Sequence, residues 1–281
     1  MVNQRMLITD LDGTLLRSDG RFSDADIDRL RWLGERGVIR VLATGRSPYS
    51  FHKAVSERLP FDYVLFSTGA AIVDYKDGCR FLKVCHLSSQ QAREVNEILC
   101  VMNLDFMVHD PFPDNHRFAY RGSGRHNPDF QRRIDRYVHF SRELDRDCIE
   151  PSRGREVSQF LVVVPQEAAE RSWEAIHAAF PELSVIRSTS PLDHKSAWIE
   201  IFHPDVSKSR SAEWLCRNLG ILAQDVLAIG NDYNDMDLLE WAGAAMLVEN
   251  APEALRSRFP TVASNNASGV SEAIEKWMQL R

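Results

Sequence analysis

Near the N-terminus stands the stretch Leu7-Ile8-Thr9-Asp10-Leu11-Asp12-Gly13-Thr14-Leu15-Leu16. A short apolar run stops in two carboxylates one residue apart, then Gly and Thr, as a buried strand does when it enters a loop. Period-two geometry sends Asp10 and Asp12 to the same side if the strand persists, and a turn there aims both into one cavity. Two such carboxylates repel and lose hydration unless a cation or a shared proton compensates. An ordinary Asp-Gly turn uses the same residue types, so the stretch needs partners elsewhere before it implies chemistry.

Three partners follow along the chain. Thr44-Gly45-Arg46 closes the apolar run Val38 to Ala43, and Gly230-Asn231-Asp232-Tyr233-Asn234-Asp235 closes the run Val226 to Ile229. Lys208 stands at the start of a helix opened by Ser207, where anions are favoured. Taken singly, Thr44-Gly45 is a strand-to-helix turn, Lys208 a solvated lysine, and the acidic loop an Asx-rich turn or a calcium loop. Together, the carboxylates gather a hard cation through oxygen, while Thr44 and Lys208 hold the oxygens of an anion. A cation and an oxyanion in one pocket are what phosphoryl transfer requires, because stabilising equatorial oxygen charge is most of its catalysis.

The elements that must position these groups read as follows. A helix from Ser23 to about Arg36 separates the first strand from Val38–Ala43. A second helix opens at Ser47-Pro48 with the stripe Phe51, Val55 and Leu59. Tyr63 to Phe66 is a third strand. Strands that end in polar loops and alternate with helices predict a parallel sheet, and ligands bind outside the carboxyl ends of such strands. A hairpin of Ala70–Asp74 and Arg80–Val84 then breaks the pattern. Helices and strands from Ser88 to Phe202 follow, with helices at Pro128–Phe140 and Gln166–Phe180 and a charged connection from Ser141 to Arg155. The first pattern returns with the helix from Ser207 to Leu219, the strands Val226–Ile229 and Ala245–Val248, and a helix from Pro252 to Phe259. The chain therefore reads as an α/β, Rossmann-like core interrupted by an inserted α+β domain. The boundaries expected are 1–82 and 205–281 for the core and 83–204 for the insertion.

At 281 residues, 44% hydrophobic and 26% charged, the chain has the make-up of a globular protein with a sizeable core. A net charge of −6 gives no electrostatic case for nucleic acid or an anionic membrane surface. Five scattered cysteines without a C-x-x-C pair argue against a disulfide framework or structural zinc and suit a reducing cytoplasm.

D-L-D-G-T-L-L at Asp10 to Leu16, L-A-T-G-R at Leu42 to Arg46, V-S-K-S at Val206 to Ser209 and I-G-N-D-Y-N-D at Ile229 to Asp235 occur in that order. With them the chain resembles the haloacid dehalogenase superfamily of phosphatases, Cof type, with a type IIB cap inserted between the second and third motifs. The resemblance implies the family fold and a phosphomonoesterase acting on a small phosphorylated metabolite, often a sugar phosphate, as a monomer or homodimer. It implies Asp10 as nucleophile forming an aspartyl-phosphate. Asp12 would be the general acid and then the base, and Thr44 and Lys208 would hold the phosphoryl group. Gly13, Thr14, Gly45 and Arg46 would line the phosphate site. Mg²⁺ would be held by Asp10, the backbone carbonyl of Asp12, and the loop of Asn231, Asp232 and Asp235. A phosphomutase, or a metabolite-binding homologue with little turnover, shares the same signature. The chain departs from the family at Asn231, where Asp is usual and where Asp232 is the rival ligand, and at Thr68, where Asn is usual. In the inserted domain the loop Arg121-Gly122-Ser123-Gly124-Arg125 is the expected substrate contact. The arginines Arg132, Arg133 and Arg136 are expected on a solvated helix face, paired with Asp129 and Asp135.

Overall fold

The computed structural model describes residues 4–144 and 154–279. Its elements begin with β1 (Met6–Asp10), α1 (Asp24–Glu35), β2 (Ile39–Ala43), α2 (Pro48–Ala54), β3 (Tyr63–Phe66), β4 (Ala71–Asp74) and β5 (Arg80–Val84). There follow α3 (Ser89–Val101), β6 (Phe106–His109), β7 (Phe118–Arg121), α4 (Pro128–Arg136), β8 (Ser141–Glu143), β9 (Gln159–Pro165), α5 (Ala169–Ala179), β10 (Ser184–Thr189) and β11 (Ser196–Phe202). The last group is α6 (Lys208–Leu219), β12 (Val226–Gly230), α7 (Met236–Trp241), β13 (Ala244–Val248), α8 (Glu253–Arg256), β14 (Thr261–Val262) and α9 (Gly269–Gln279). The chain divides into two compact units. One comprises Met1–Arg46, Ser50–Lys83 and Ser207–Arg281, and the other comprises Ser47–Tyr49 and Val84–Val206.

The first unit is built on a sheet ordered β14-β13-β12-β1-β2-β3-β4-β5, parallel from β14 to β3, with β4 turning back antiparallel. Apolar side chains on both faces explain why these strands read as continuous hydrophobic runs. Met6 and Ile8 of β1 share a core with Leu215 of α6 and Leu238 of α7, while α1 and α9 pack together on the sheet's other side. The chain steps from β1 to β2 on one side and returns to β1 through β12 on the other. The switch point thus lies at the carboxyl end of β1, where ligands bind in open α/β sheets. By period two, Asp10 faces the same way as Met6 and Ile8, toward α6, whose first residue is Lys208.

The second unit carries a sheet ordered β10-β11-β9-β6-β7-β8, antiparallel except where β8 runs alongside β7. Helices α3 and α5 cover one face, and α4 covers the other through Phe130 and Ile134. That is the α+β composition expected of the insertion. No helix among the described residues is long and apolar enough to cross a membrane.

Several element ends differ from expectation, each for a local reason. The helix from Pro128 stops at Arg136, because Tyr137 leaves the helical region (φ −119°, ψ 26°) and turns into the apolar cluster under α4. Helix α2 ends at Ala54, short of Leu59, whose following proline disfavours helical backbone. The segment Pro252 to Phe259 makes one turn only, Glu253–Arg256, with Pro252 extended outside it and Phe259 held before Pro260. The charged connection after Phe140 begins as β8; its residues 145–153 lie outside the described residues.

Candidate active site

After Asp10 the backbone curls: the amides of Thr14, Leu15 and Leu16 all donate to the Leu11 carbonyl. This turn sends the two carboxylates to different partners. Asp10 Oδ1 accepts from Lys208 Nζ at 2.7 Å, and the same ammonium donates to Asp235 Oδ1 at 2.5 Å. Lys208 has no exposed surface, so the solvated lysine that its sequence position suggests is in fact a buried cation between two carboxylates. Burial opposes its charge, but Asp10 and Asp235 outweigh that and raise its pKa. For Asp10 burial dominates and Asp235 and Asp12 add to it, so its pKa is pushed up to about 7 in spite of Lys208.

Asp12 instead meets Arg46, whose Nε and Nη2 donate to its two carboxylate oxygens at 2.8 and 2.6 Å. Arg46 was expected among the phosphate-lining residues; here its fork grips Asp12. Thr44 is fully buried directly after Ala43, the register partner of Asp10, and its Oγ1 accepts from the Arg46 amide at 3.1 Å. The neighbouring Gly45 lies beside Thr68, whose amide donates to the Thr44 carbonyl.

The acidic loop after β12 separates into distinct jobs. Asp235 Oδ2 accepts from the amides of Asn231 (2.8 Å) and Asp232 (3.1 Å), so one carboxylate holds both the loop backbone and Lys208. Only glycine fits at position 230 with Asp235 so placed, because an added Cβ would lie 2.5 Å from its Cγ. The Asp232 side chain turns back to cap the short turn Tyr233–Asp235. The residue whose side chain faces the two aspartates is Asn231. Its Oδ1 accepts from Thr14 Oγ1 at 2.9 Å. The same end of the amide lies 3.2 Å from Asp10 Oδ2 and 3.1 Å from the Asp12 carbonyl. Gly13 (φ +77°) lets this happen: a Cβ there would sit 2.7 Å from the outer end of the amide.

Among the described residues no group of three His, Cys, Asp or Glu side chains is arranged around a common metal position. The donor set at Asp10 is of another kind: one carboxylate, one backbone carbonyl and one amide oxygen. Adjacent ligands of an octahedral Mg²⁺ are about 2.9 Å apart, so the 3.1–3.2 Å from the inward end of the Asn231 amide to the Asp10 and Asp12 oxygens suits a small hard cation when the amide oxygen occupies that end.

Two contributors carry no motif signal. Asp237 Oδ2 accepts from the amide and hydroxyl of Ser209 at 3.0 and 2.6 Å, tying α7 to the first turn of α6. Ser211 Oγ donates to the Gly69 carbonyl at 2.7 Å, fixing the same turn against the loop after β3. An acidic residue two places beyond Asp235 was the available clue.

Arg121 and Arg125 belong to the other unit. There Arg121 Nη1 donates to Cys100 Sγ at 2.5 Å, and Asp105 accepts from the Ser123 amide. Among the described residues neither Asp129 nor Asp135 forms the expected hydrogen bond or close ion pair with an α4 arginine, though the Asp129 charge still favours the Arg133 cation. Asp129 is buried and accepts from Ser190 Oγ (3.0 Å) and Trp198 Nε1 (2.8 Å), and Asp135 accepts from Gln131. Arg133 is boxed by aromatic rings instead, 4.6 Å above Trp198 and 5.4 Å above Tyr137.

Compared with known proteins, residues 7–274 match the model of the haloacid dehalogenase-like hydrolases. Over 97% of each chain the sequence is 24% identical to the putative phosphatase YxeH of Bacillus subtilis (strain 168). It is 22% identical, over 97% of each chain, to the 5-amino-6-(5-phospho-D-ribitylamino)uracil phosphatase YwtE of the same organism. Among solved structures, the HAD subclass IIB sugar phosphatase BT4131 superposes with a TM-score of 0.76 at 16% identity, covering 98% of this chain and 99% of that one.

Proposed function

The chain belongs to the haloacid dehalogenase-like hydrolases, and from that premise we propose that it is a Mg²⁺-dependent phosphomonoesterase using Asp10 as nucleophile. The observation that carries the reading is the division of Asp10: Oδ1 is held by a buried ammonium, and Oδ2 faces the Asn231 carboxamide, whose inward end also lies against the Asp12 carbonyl. One carboxylate is thereby shared between an anion-binding cation and a cation-binding oxygen cluster.

In the first step an Asp10 oxygen attacks phosphorus and the bond to the leaving oxygen breaks, with a proton passing from the Asp12 carboxyl to that oxygen. In the second, Asp12 takes a proton from water as the water attacks phosphorus, the Asp10–phosphorus bond breaks, and phosphate departs. Lys208 neutralises the phosphoryl oxygens while keeping Asp10 aimed, and Thr44 donates its hydroxyl to them. Asp235 orients Lys208 and the Asn231 loop. Arg46, which holds Asp12 in its fork, sets the rotamer of that acid. Mg²⁺, when held by Asp10, the Asp12 carbonyl and Asn231, supplies charge stabilisation for the transferring group. The relatives named for sugar and ribityl phosphates point to a small phosphorylated polyol or sugar as substrate, with the second unit as the cap that selects it.

Purified protein with Mg²⁺ is expected to release phosphate from p-nitrophenyl phosphate and from members of a sugar-phosphate panel. Asp10→Asn should lower kcat by a factor of a thousand or more, about 4 kcal/mol of transition-state stabilisation. Silence across the panel would sink the proposal. A hexose phosphate that isomerises by ³¹P NMR without free phosphate accumulating would point to a phosphomutase instead.

A further inference from the structure

We propose that the Asn231 carboxamide is a rotating stand-in for the cation. Without a cation its NH₂ end turns inward and donates to Asp10 Oδ2 and the Asp12 carbonyl. A divalent cation binds by turning the amide through 180°, so that Oδ1 becomes a ligand. The inference rests on the metal assignment proposed above, but not on any substrate.

The geometry of the inward position is the reason. Three oxygens surround it: Asp10 Oδ2 at 3.2 Å, the Asp12 carbonyl at 3.1 Å and Thr14 Oγ1 at 2.9 Å. All three distances suit N–H···O hydrogen bonds. An amide oxygen there needs a cation to draw the cluster together; an amide nitrogen satisfies it unaided. Thr14 accommodates both states, since its hydroxyl donates to Oδ1 and accepts from Nδ2. The two ends of the planar group are nearly the same size, so the turn leaves the packing against Gly13 unchanged. An aspartate at this position has no donor to offer. It would put a further negative charge about 3 Å from Asp10 Oδ2 whenever no cation is bound. Asn231 thus exchanges metal affinity for a site that is internally satisfied when empty.

The test uses the full-length protein, ¹⁵N-labelled, with Mg²⁺ alone and no substrate. The Asn231 side-chain amide is assigned from its link to the backbone and from its loss in Asn231→Asp. Its two protons are expected to exchange slowly with solvent in metal-free protein, and to shift and exchange faster at saturating Mg²⁺. By calorimetry Asn231→Asp should bind Mg²⁺ roughly tenfold more tightly. Its metal-free melting temperature should fall below that of the parent, and Mg²⁺ should raise it by more. An Asn231 amide indifferent to Mg²⁺, in protein whose phosphate release requires Mg²⁺, overturns the rotation and leaves the phosphatase reading intact. Absence of Mg²⁺ binding together with absence of turnover overturns both.

Discussion

A lysine with no exposed surface survives at position 208 because two carboxylates hold it, at 2.7 and 2.5 Å, where burial alone would drive off its proton. The converse dependence is as strong: Asp10 and Asp235 share one buried cation, and Asp235 also holds two backbone amides of the loop after β12. Removing the ammonium therefore strands charge as well as breaking contacts. Lys208→Met is expected to cost about 3–5 kcal/mol of stability, read as a lower urea midpoint, and to abolish turnover. Adding Asp235→Asn to it should recover part of that loss, since one of the stranded charges is gone. If Lys208→Met unfolds within about 1 kcal/mol of the parent, the buried ion triad is not what holds this loop.

The loop after β3 shows strain spread over a whole turn. Ser67, Thr68 and Gly69 follow one another at positive φ (46°, 58° and 100°), and Thr68 is fully buried. A β-branched residue in the left-handed region costs roughly 1–2 kcal/mol, whereas asparagine tolerates it. The turn is retained because it braces the site from behind: the Thr68 amide donates to the Thr44 carbonyl, and the Gly69 carbonyl receives Ser211 from α6. Thr68→Asn should therefore raise stability by about 1 kcal/mol and the melting temperature by a few degrees with kcat unchanged. A lower melting temperature would show that the threonine methyl packs better than the backbone relaxes. This turn also marks what sequence could convey. The departure at Thr68 was visible beside Gly69; the φ values that give it meaning were not. Strand ends were legible at Asp10, Thr44 and Gly230, where an apolar run meets polar residues, and so was the N-terminus at Ser207. Between Asn231 and Asp232 the sequence favours Asn231 only slightly, because neighbours differ only in which way the loop turns, and Asp235 sets that turn through the amides of both. The Arg46–Asp12 contact is hidden from the sequence for a related reason: the two lie 34 positions apart and are brought near by the pairing of β1 with β2.

At the scale of the molecule, the core unit must be closed by segments on either side of a long insertion. The parallel pairing of β1 with β12 does this within the sheet, and α1 against α9 does it above. The seam between those helices holds a buried carboxylate: Asp26 Oδ1 accepts from the Ser271 amide at 2.7 Å, while Oδ2 is buried with no hydrogen-bond partner among the described residues. Burial pushes Asp26 up from 3.8 to about 6, against the opposing pull of the Ser271 amide and Arg17. Between pH 4 and pH 6 the folded protein thus keeps a proton that the unfolded chain has released, so stability falls as pH rises through that window. The loss amounts to about 2–3 kcal/mol at most and is complete above the folded pKa. Because other carboxylates titrate nearby, the contribution is isolated by comparing urea unfolding of the parent and Asp26→Asn across this range. The asparagine variant should be less stable than the parent near pH 4, and the gap between them should close or reverse as pH rises past 6. Parallel stability profiles for the two proteins would mean that Asp26 closes the seam as a permanent carboxylate, and that the acid response of the fold originates elsewhere.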